Sequence, residues 1–247
     1  MIELKPLEPL DQRRGEIAQS FVEPRYRAVY DAAADRIDAD EYAALQLKWR
    51  DRLIDFDPKF IYKYFDVCFW IKDKIERADR LGLFDRPGLR ILDLGTGAGH
   101  FPAICAALGH EVIGLDVEVP LYGDLARLMK VDRQIFRLLP RQPLPDLGRF
   151  DLITGVAVSF DSLGRDAASV RRYWSVEDWA WLILHLSEAR SLYPGRLYFE
   201  LNFQVLADNT LRYNQALLEA CARAGADVLA ARGRIAFAVD GPIVLGP

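Results

Sequence analysis

The stretch LRILDLGTGAGHFPAICAALGHEVIGLDVE, Leu89 to Glu118, decides the fold. Its first residues, Leu89-Arg90-Ile91-Leu92, are rich enough in branched aliphatics for a buried parallel strand. Asp93-Leu94-Gly95-Thr96-Gly97-Ala98-Gly99 is a glycine turn, and Phe101 to Leu108 has a helical pattern that Gly109 stops. A second strand, Glu111 to Leu115, ends on Asp116. Together these make one β-α-β unit of about 30 residues. Glycine at alternate positions removes Cβ atoms where the chain turns sharply, so the backbone can approach a ligand closely. The turn lies at the carboxyl end of a strand, where open α/β sheets bind ligands. Asp116, at the tip of the next strand, can accept two hydrogen bonds from a ribose diol.

The glycine spacing separates the nucleotide classes. A dinucleotide fingerprint reads G-x-G-x-x-G, and its third glycine would fall on His100; a phosphate P-loop needs G-x-x-x-x-G-K-[ST], which is absent. Asp93 would sit badly beside a pyrophosphate and well beside a cation. D-x-G-x-G-x-G followed by an acid on the second strand resembles the class I S-adenosylmethionine-dependent methyltransferases. The resemblance implies a glycine loop beneath the cofactor, with Asp93 placing its cationic methionine end and Asp116 binding the ribose. Gly95, Thr96, Gly97, Gly99 and Val117 complete the expected cofactor contacts. The implied fold is a Rossmann-like seven-stranded, mostly parallel sheet with helices on both faces and a terminal antiparallel hairpin. Two other functions stay open: a cofactor-binding partner or sensor without activity, and an NAD(P)-dependent oxidoreductase, which His100 disfavours.

Composition narrows the partners. The chain has 247 residues, 51% hydrophobic, with a formal net charge of −4 and a pI near 5.5. That balance argues against a general nucleic-acid binder. Met1 to Pro9 is charged and proline-broken, unlike a secretion signal, and the apolar runs are too short to span a bilayer. Cys68, Cys105 and Cys221 are far apart and read as small buried hydrophobes in a reducing compartment. His100, His110 and His185 have no ligand spacing, so no metal site is expected. The expected setting is cytoplasmic, with a small-molecule methyl acceptor, no membrane, and a homodimer left open.

Residues 1–85 form the expected helical cap, and 86–247 the cofactor-binding domain. An arm to about residue 14 precedes helices over Ala28–Ile37, Ala39–Leu53 and Lys59–Leu81, the last announced by Asp57-Pro58. Among the many aromatics here, Tyr62 and Tyr64 are candidate contacts to cofactor or substrate. A crossover helix over Leu121–Val131 and a strand over Gln134–Leu138 follow. Pro140 to Gly148 is a loop, because its prolines forbid a helix. Family members often carry an adenine-binding acid after the third strand. None stands directly there; Asp146 is nearest, and Arg141 or Gln142 are alternatives.

Phe150-Asp151-Leu152-Ile153 opens the fourth strand, whose end runs Val-Ala-Val-Ser-Phe-Asp to Asp161. It lacks the Asn/Asp-Pro-Pro-Tyr/Phe tetrad of nucleobase and glutamine methyltransferases. Ser159 and Asn202 are candidate substrate contacts; Asp161 and His100 are candidate general bases. Arg165, Arg171 and Arg172 lie in a loop from Asp161 to Tyr173 that would suit an acidic substrate. Ser175 opens a helix to about Leu192 with a capping box, and His185 within it reads as structural. The fifth strand is Leu197–Leu201, the last helix Ala207–Ala224, and Ala226–Ala231 pairs with Arg234–Val239.

Overall fold

The computed structural model describes residues 8–50, 64–158, 160–162, 172–205 and 210–246. Its seven-stranded sheet comprises β1 (Arg90–Leu94), β2 (Glu111–Asp116), β3 (Asp132–Ile135), β4 (Phe150–Val158), β5 (Ser191–Leu201), β6 (Asp227–Leu229) and β7 (Arg234–Val239). The strand order is β3-β2-β1-β4-β5-β7-β6. β1 pairs parallel with β4, and β4 with β5. β7 runs antiparallel to both β5 and β6. This is the Rossmann-like sheet with a terminal hairpin that the glycine motif implied.

The chain divides into two compact units whose boundaries cut the β-α-β motif. The first takes Met1–Gly88, Thr96–Gly114 and Glu118–Gln134; the second takes Leu89–Gly95, Leu115–Val117 and Ile135–Pro247.

The first unit holds six helices among its described residues: α1 (Leu10–Gln19), α2 (Pro24–Ala34), α3 (Ala39–Arg50), α4 (Val67–Arg80), α5 (His100–Ala107) and α6 (Pro120–Leu128). The expected arm is helical from Leu10, with Pro9 as N-cap residue. Of the helix expected over Lys59–Leu81, Tyr64 and Phe65 are helical, Asp66 interrupts, and α4 runs Val67–Arg80. Asp66 caps it by accepting from the Phe69 N–H at 3.1 Å. That carboxylate also holds Arg13 of α1, at 2.5 Å, so one side chain caps one helix and docks another. Asp57, Pro58 and the other residues of 51–63 lie outside the described set. Val67, Ile71 and Ile75 form the buried stripe of α4, at the spacing that puts them on one face.

A polar knot joins α3 to α6. Asp124 is buried and accepts from Lys48 Nζ at 2.5 Å, Trp49 Nε1 at 3.0 Å and Arg127 Nη1 at 3.1 Å. Burial pushes its pKa up, but these three donors prevail and hold it below the usual carboxylate range.

In the second unit, β1 and β4 are buried along most of their length, as the aliphatic runs demand. Two helices flank them in sequence, α7 (Val176–His185) and α8 (Gln215–Arg223). The Ser175 capping box is present, with Asp178 as its second member. α7 stops short of Leu192: a π-turn, Leu186–Arg190, follows it. Hydroxyls account for this ending, since Ser187 Oγ donates to Leu184 O and Ser191 Oγ to Leu186 O. β5 starts earlier than expected, at Ser191, with a register shift against Phe150–Leu152. α8 starts at Gln215, later than Ala207, because Asn214 caps it by accepting from Leu217 N–H at 3.1 Å. β3 runs Asp132–Ile135, two residues ahead of the expected start. Residues 140–148 carry no helix or strand, as their prolines require. His185 accepts from the Leu144 N–H at 3.1 Å, and Arg190 Nη2 donates to Leu144 O, so the proline loop is held from both sides. No helix among the described residues is long and apolar enough to cross a membrane.

Candidate functional site

In the second unit, β1 delivers Asp93 to its carboxyl end, buried. Its register partner on β4 is Thr154, whose Oγ1 donates to Asp93 Oδ1 at 2.7 Å. That bond fixes the carboxylate's direction in the sheet. The chain then turns at Gly95, whose N–H donates to Leu115 O at 2.7 Å. Gly95 has φ +70°, and a Cβ there would stand 2.3 Å from Val158 Cγ2. Only glycine satisfies both the backbone and the packing. Asp116 ends β2 half-buried, its Oδ1 accepting from the Val117 N–H at 2.7 Å and its carbonyl from the Phe136 N–H at 2.8 Å. Val117 beside it is exposed.

The first unit holds the rest of the turn. Gly97 has φ +59°, and a Cβ there would meet no described atom within 4 Å. Gly99 is the N-cap of α5 at φ +89°, with its missing Cβ 3.2 Å from Val131. The three glycines therefore serve different ends: two make room for protein, while a Cβ at Gly97 would meet no described atom. Thr96 Oγ1 and His100 Nε2 are buried without a hydrogen-bond partner among the described residues. His100 opens α5 with its ring 6.2 Å from that of Trp70. Burial, then Lys74, push its pKa down to about 3, against Asp73 and a hydrogen bond to the Tyr64 backbone. The imidazole is neutral at neutral pH. Tyr64 packs edge-on against Tyr122 at 5.1 Å. Arg133 Nε donates to Gly97 O at 3.1 Å, bracing the turn.

The ends of β4 and β5, again in the second unit, form a separate feature. Ala157 has φ +53° and sits at a register shift between Val156 and Val158. Asn202, at the end of β5, donates from Nδ2 to Ala157 O at 2.7 Å and so pins this bulge. The loop expected over 161–173 begins and ends as a ribbon, with Asp161–Ser162 antiparallel to Arg172–Tyr173. Asp161 is buried. Phe160 packs edge-on against Trp174 and Phe199 and tilted against Trp179, at a centroid separation of 4.1 Å from the last. A cleft beside these tips is lined in part by Val158, Phe160, Tyr173, Trp179 and Asn202. Sequence reading missed Tyr173 and placed Trp179 in a buried stripe; the signal available was the density of aromatics after β4.

Each unit thus gathers part of the expected set. Asp93, Gly95, Asp116, Val117, Asp161 and Asn202 belong to the second; Tyr64, Thr96, Gly97, Gly99 and His100 belong to the first. Tyr62, Ser159, Arg165 and Arg171 lie outside the described residues. Of the adenine alternatives, Arg141 is engaged with Asp178 at 3.1 Å and Asp146 with Arg190 at 3.2 Å. Gln142 Oε1 is buried with no hydrogen-bond partner among the described residues. No group of His, Cys, Asp or Glu among the described residues could hold a metal ion.

No family model and no curated protein matches the chain. Solved structures do. One is the S-adenosylmethionine-bound CalS10 of Micromonospora echinaspora, an amino pentose methyltransferase involved in calicheamicin biosynthesis. It is 19% identical over 58% of this chain and 54% of that one, with TM-score 0.42. DesVI of Streptomyces venezuelae is 12% identical over 58% and 54%, with TM-score 0.41. A ribosomal protein L11 methylase from Lactobacillus delbrueckii subsp. bulgaricus is 22% identical over 68% and 74%, with TM-score 0.40. The chain spans about half the length of the first two. The chain's own strand order is Rossmann-like. The likeness is one of fold alone.

Proposed function

We propose that the protein is an S-adenosylmethionine-dependent methyltransferase acting on an oxygen or nitrogen of a small-molecule acceptor. On this reading residues 1–85 are a helical extension and 86–247 the cofactor-binding domain. The observation that carries it lies in the second unit: Asp93 at the end of β1, its carboxylate held by Thr154, and Asp116 at the tip of β2. Two features of that unit support the cofactor: an oriented buried carboxylate at Asp93, and a second carboxylate at Asp116 suited to a diol. Gly95 and Gly99 shape the loop, while Thr96, Val117 and Tyr64 complete the contacts.

When bound, the cofactor supplies an electrophilic methyl group on a sulfonium. The chain's part is positioning: holding the acceptor in line with that methyl, in a water-poor setting. Transfer to a hydroxyl or amine would also release the acceptor's proton, which a base of the chain would take. Asp161 is the better candidate for that base, because a His100 pKa near 3 makes its imidazole a poor proton acceptor.

Calorimetric titration with S-adenosylmethionine and S-adenosylhomocysteine tests the proposal, with Asp116→Ala and NAD⁺ in parallel. Expected are dissociation constants of roughly micromolar, about −8 kcal/mol, lost in the variant, and no NAD⁺ binding. Folded protein that binds neither sulfur ligand refutes it. Binding without turnover of any acceptor pool would make the protein a sensor or partner subunit.

A further inference from the structure

Asp93 and Thr154 stand in register on two neighbouring inner strands of the sheet, β1 and β4. Residues paired in this way project from the same face. Tyr198 of β5, paired in turn with Thr154, extends the row. All three are buried, Thr154 completely, and all belong to the second unit. A row of polar side chains inside a parallel sheet is costly to bury unless its members serve one another.

Asp93 is 4% exposed, so water does little to solvate its carboxylate, and burial disfavours the charged form. A hydroxyl that donates to the carboxylate works the other way. Thr154 Oγ1 has two acceptors in reach, Asp93 Oδ1 at 2.7 Å and Leu92 O at 3.5 Å, and its single proton goes to the nearer. Branching at Cβ restricts χ1, so this donor is fixed in direction. Valine at the same place would keep the shape and lose the proton. Serine would keep the proton on a looser rotamer.

We propose that Thr154 is the positioning residue for the ammonium-bearing amino-acid end of the cofactor, acting through Asp93, whose carboxylate it orients. The inference rests on the methyltransferase reading for the identity of the ligand, whereas the pairing of Thr154 with Asp93 stands without it. Thr154 is too buried to meet a ligand directly, so its influence passes through the carboxylate. Loss of its hydroxyl should therefore be felt by ligands that carry an amino-acid end and not by those that lack one.

The test titrates S-adenosylhomocysteine and 5′-methylthioadenosine into the full-length protein by calorimetry. The second ligand keeps the adenosine and the thioether and lacks the amino-acid end. Thr154→Val should weaken S-adenosylhomocysteine about tenfold and leave methylthioadenosine within about twofold, so the ratio of the two constants falls. Thr154→Ser should restore the ratio. Asp93→Asn should lower it as well, and adding Thr154→Val to that variant should lower it no further, because the hydroxyl then has no carboxylate to position. A purely structural role would weaken both ligands alike, or lower the melting temperature and leave the ratio untouched. Either result overturns the inference, as does a ratio that serine fails to restore. Should Thr154→Val not fold, Thr154→Cys, a weaker donor of similar size, is read in the same way. The parent protein separates the two ideas. If it binds S-adenosylhomocysteine and the variants keep its ratio, this inference falls and the methyltransferase reading stands. A folded parent that does not bind S-adenosylhomocysteine overturns both.

Discussion

Gly97 and Gly95 stand two residues apart with nearly the same backbone, φ +59° and +70°, yet alanine at each should fail in a different way. An L-residue in the left-handed region costs about 1–2 kcal/mol, and both variants incur that. At Gly97 the added methyl meets no described atom within 4 Å, so strain is the whole folding cost. For a chain of this size that lowers the melting temperature by roughly 2–8 °C. At Gly95 the methyl would stand 2.3 Å from Val158 Cγ2 and 3.0 Å from Cγ1, on a residue that ends a central strand. Overpacking adds about 1–3 kcal/mol, which brings the total to roughly 2–5 kcal/mol.

Ligand binding should separate the two further. If the space beside Gly97 belongs to the cofactor, its methyl displaces ligand, and S-adenosylhomocysteine affinity should fall about tenfold to a hundredfold, a loss of about 1.4–2.7 kcal/mol. Differential scanning calorimetry gives the stability arm and isothermal titration the affinity arm. Gly97→Ala with native stability lost by no more than about 2 kcal/mol and affinity cut tenfold supports the reasoning. Gly97→Ala that binds as well as the parent would falsify it, since the open face would then not be the ligand's.

Other consequences concern buried polar groups. Asp124→Asn removes the charge that Lys48, Trp49 and Arg127 share; a weakened buried acceptor should cost about 2 kcal/mol, lowering the melting temperature by roughly 4–8 °C, and a change under 1 °C would show the knot to be dispensable. His100 carries a folded pKa near 3 against an unfolded value near 6.5. Its neutral form is favoured in the fold, so its contribution is complete above pH 6.5 and declines as pH falls from there toward 3. Between pH 7 and 5 the parent should lose about 2 kcal/mol more stability than His100→Phe, and parallel urea curves at the two pH values would contradict this. Burial pushes Cys221 up to about 12, and Cys68 is raised too. With all three cysteines buried and free, a thiol reagent should label none of them until denaturant is added; fast labelling of the native protein would disprove the packing.

What could be read from the sequence was what its own neighbours determine. The glycine turn, the strand before it and Asp116 depend on a run of adjacent residues, and the sheet order followed once that motif was placed. Helix ends were legible where a cap is local, as at Ser175, and misplaced where the eye followed helix formers instead. Asn214 is a good cap, but it stands seven residues inside the span expected as helix. At the π-turn after His185, the hydroxyls of Ser187 and Ser191 compete for backbone carbonyls, and no periodicity announces that competition. The cleft shows the limit most clearly. Nothing about Ala157 predicts a left-handed backbone, since alanine avoids it. The conformation is held by an amide 45 residues away, at the end of another strand. Only when β4 and β5 lie side by side does Asn202 reach Ala157. A residue picked from sequence merely for standing at a strand tip thus acquires a direction, and with it a chemistry, from the pairing of two strands.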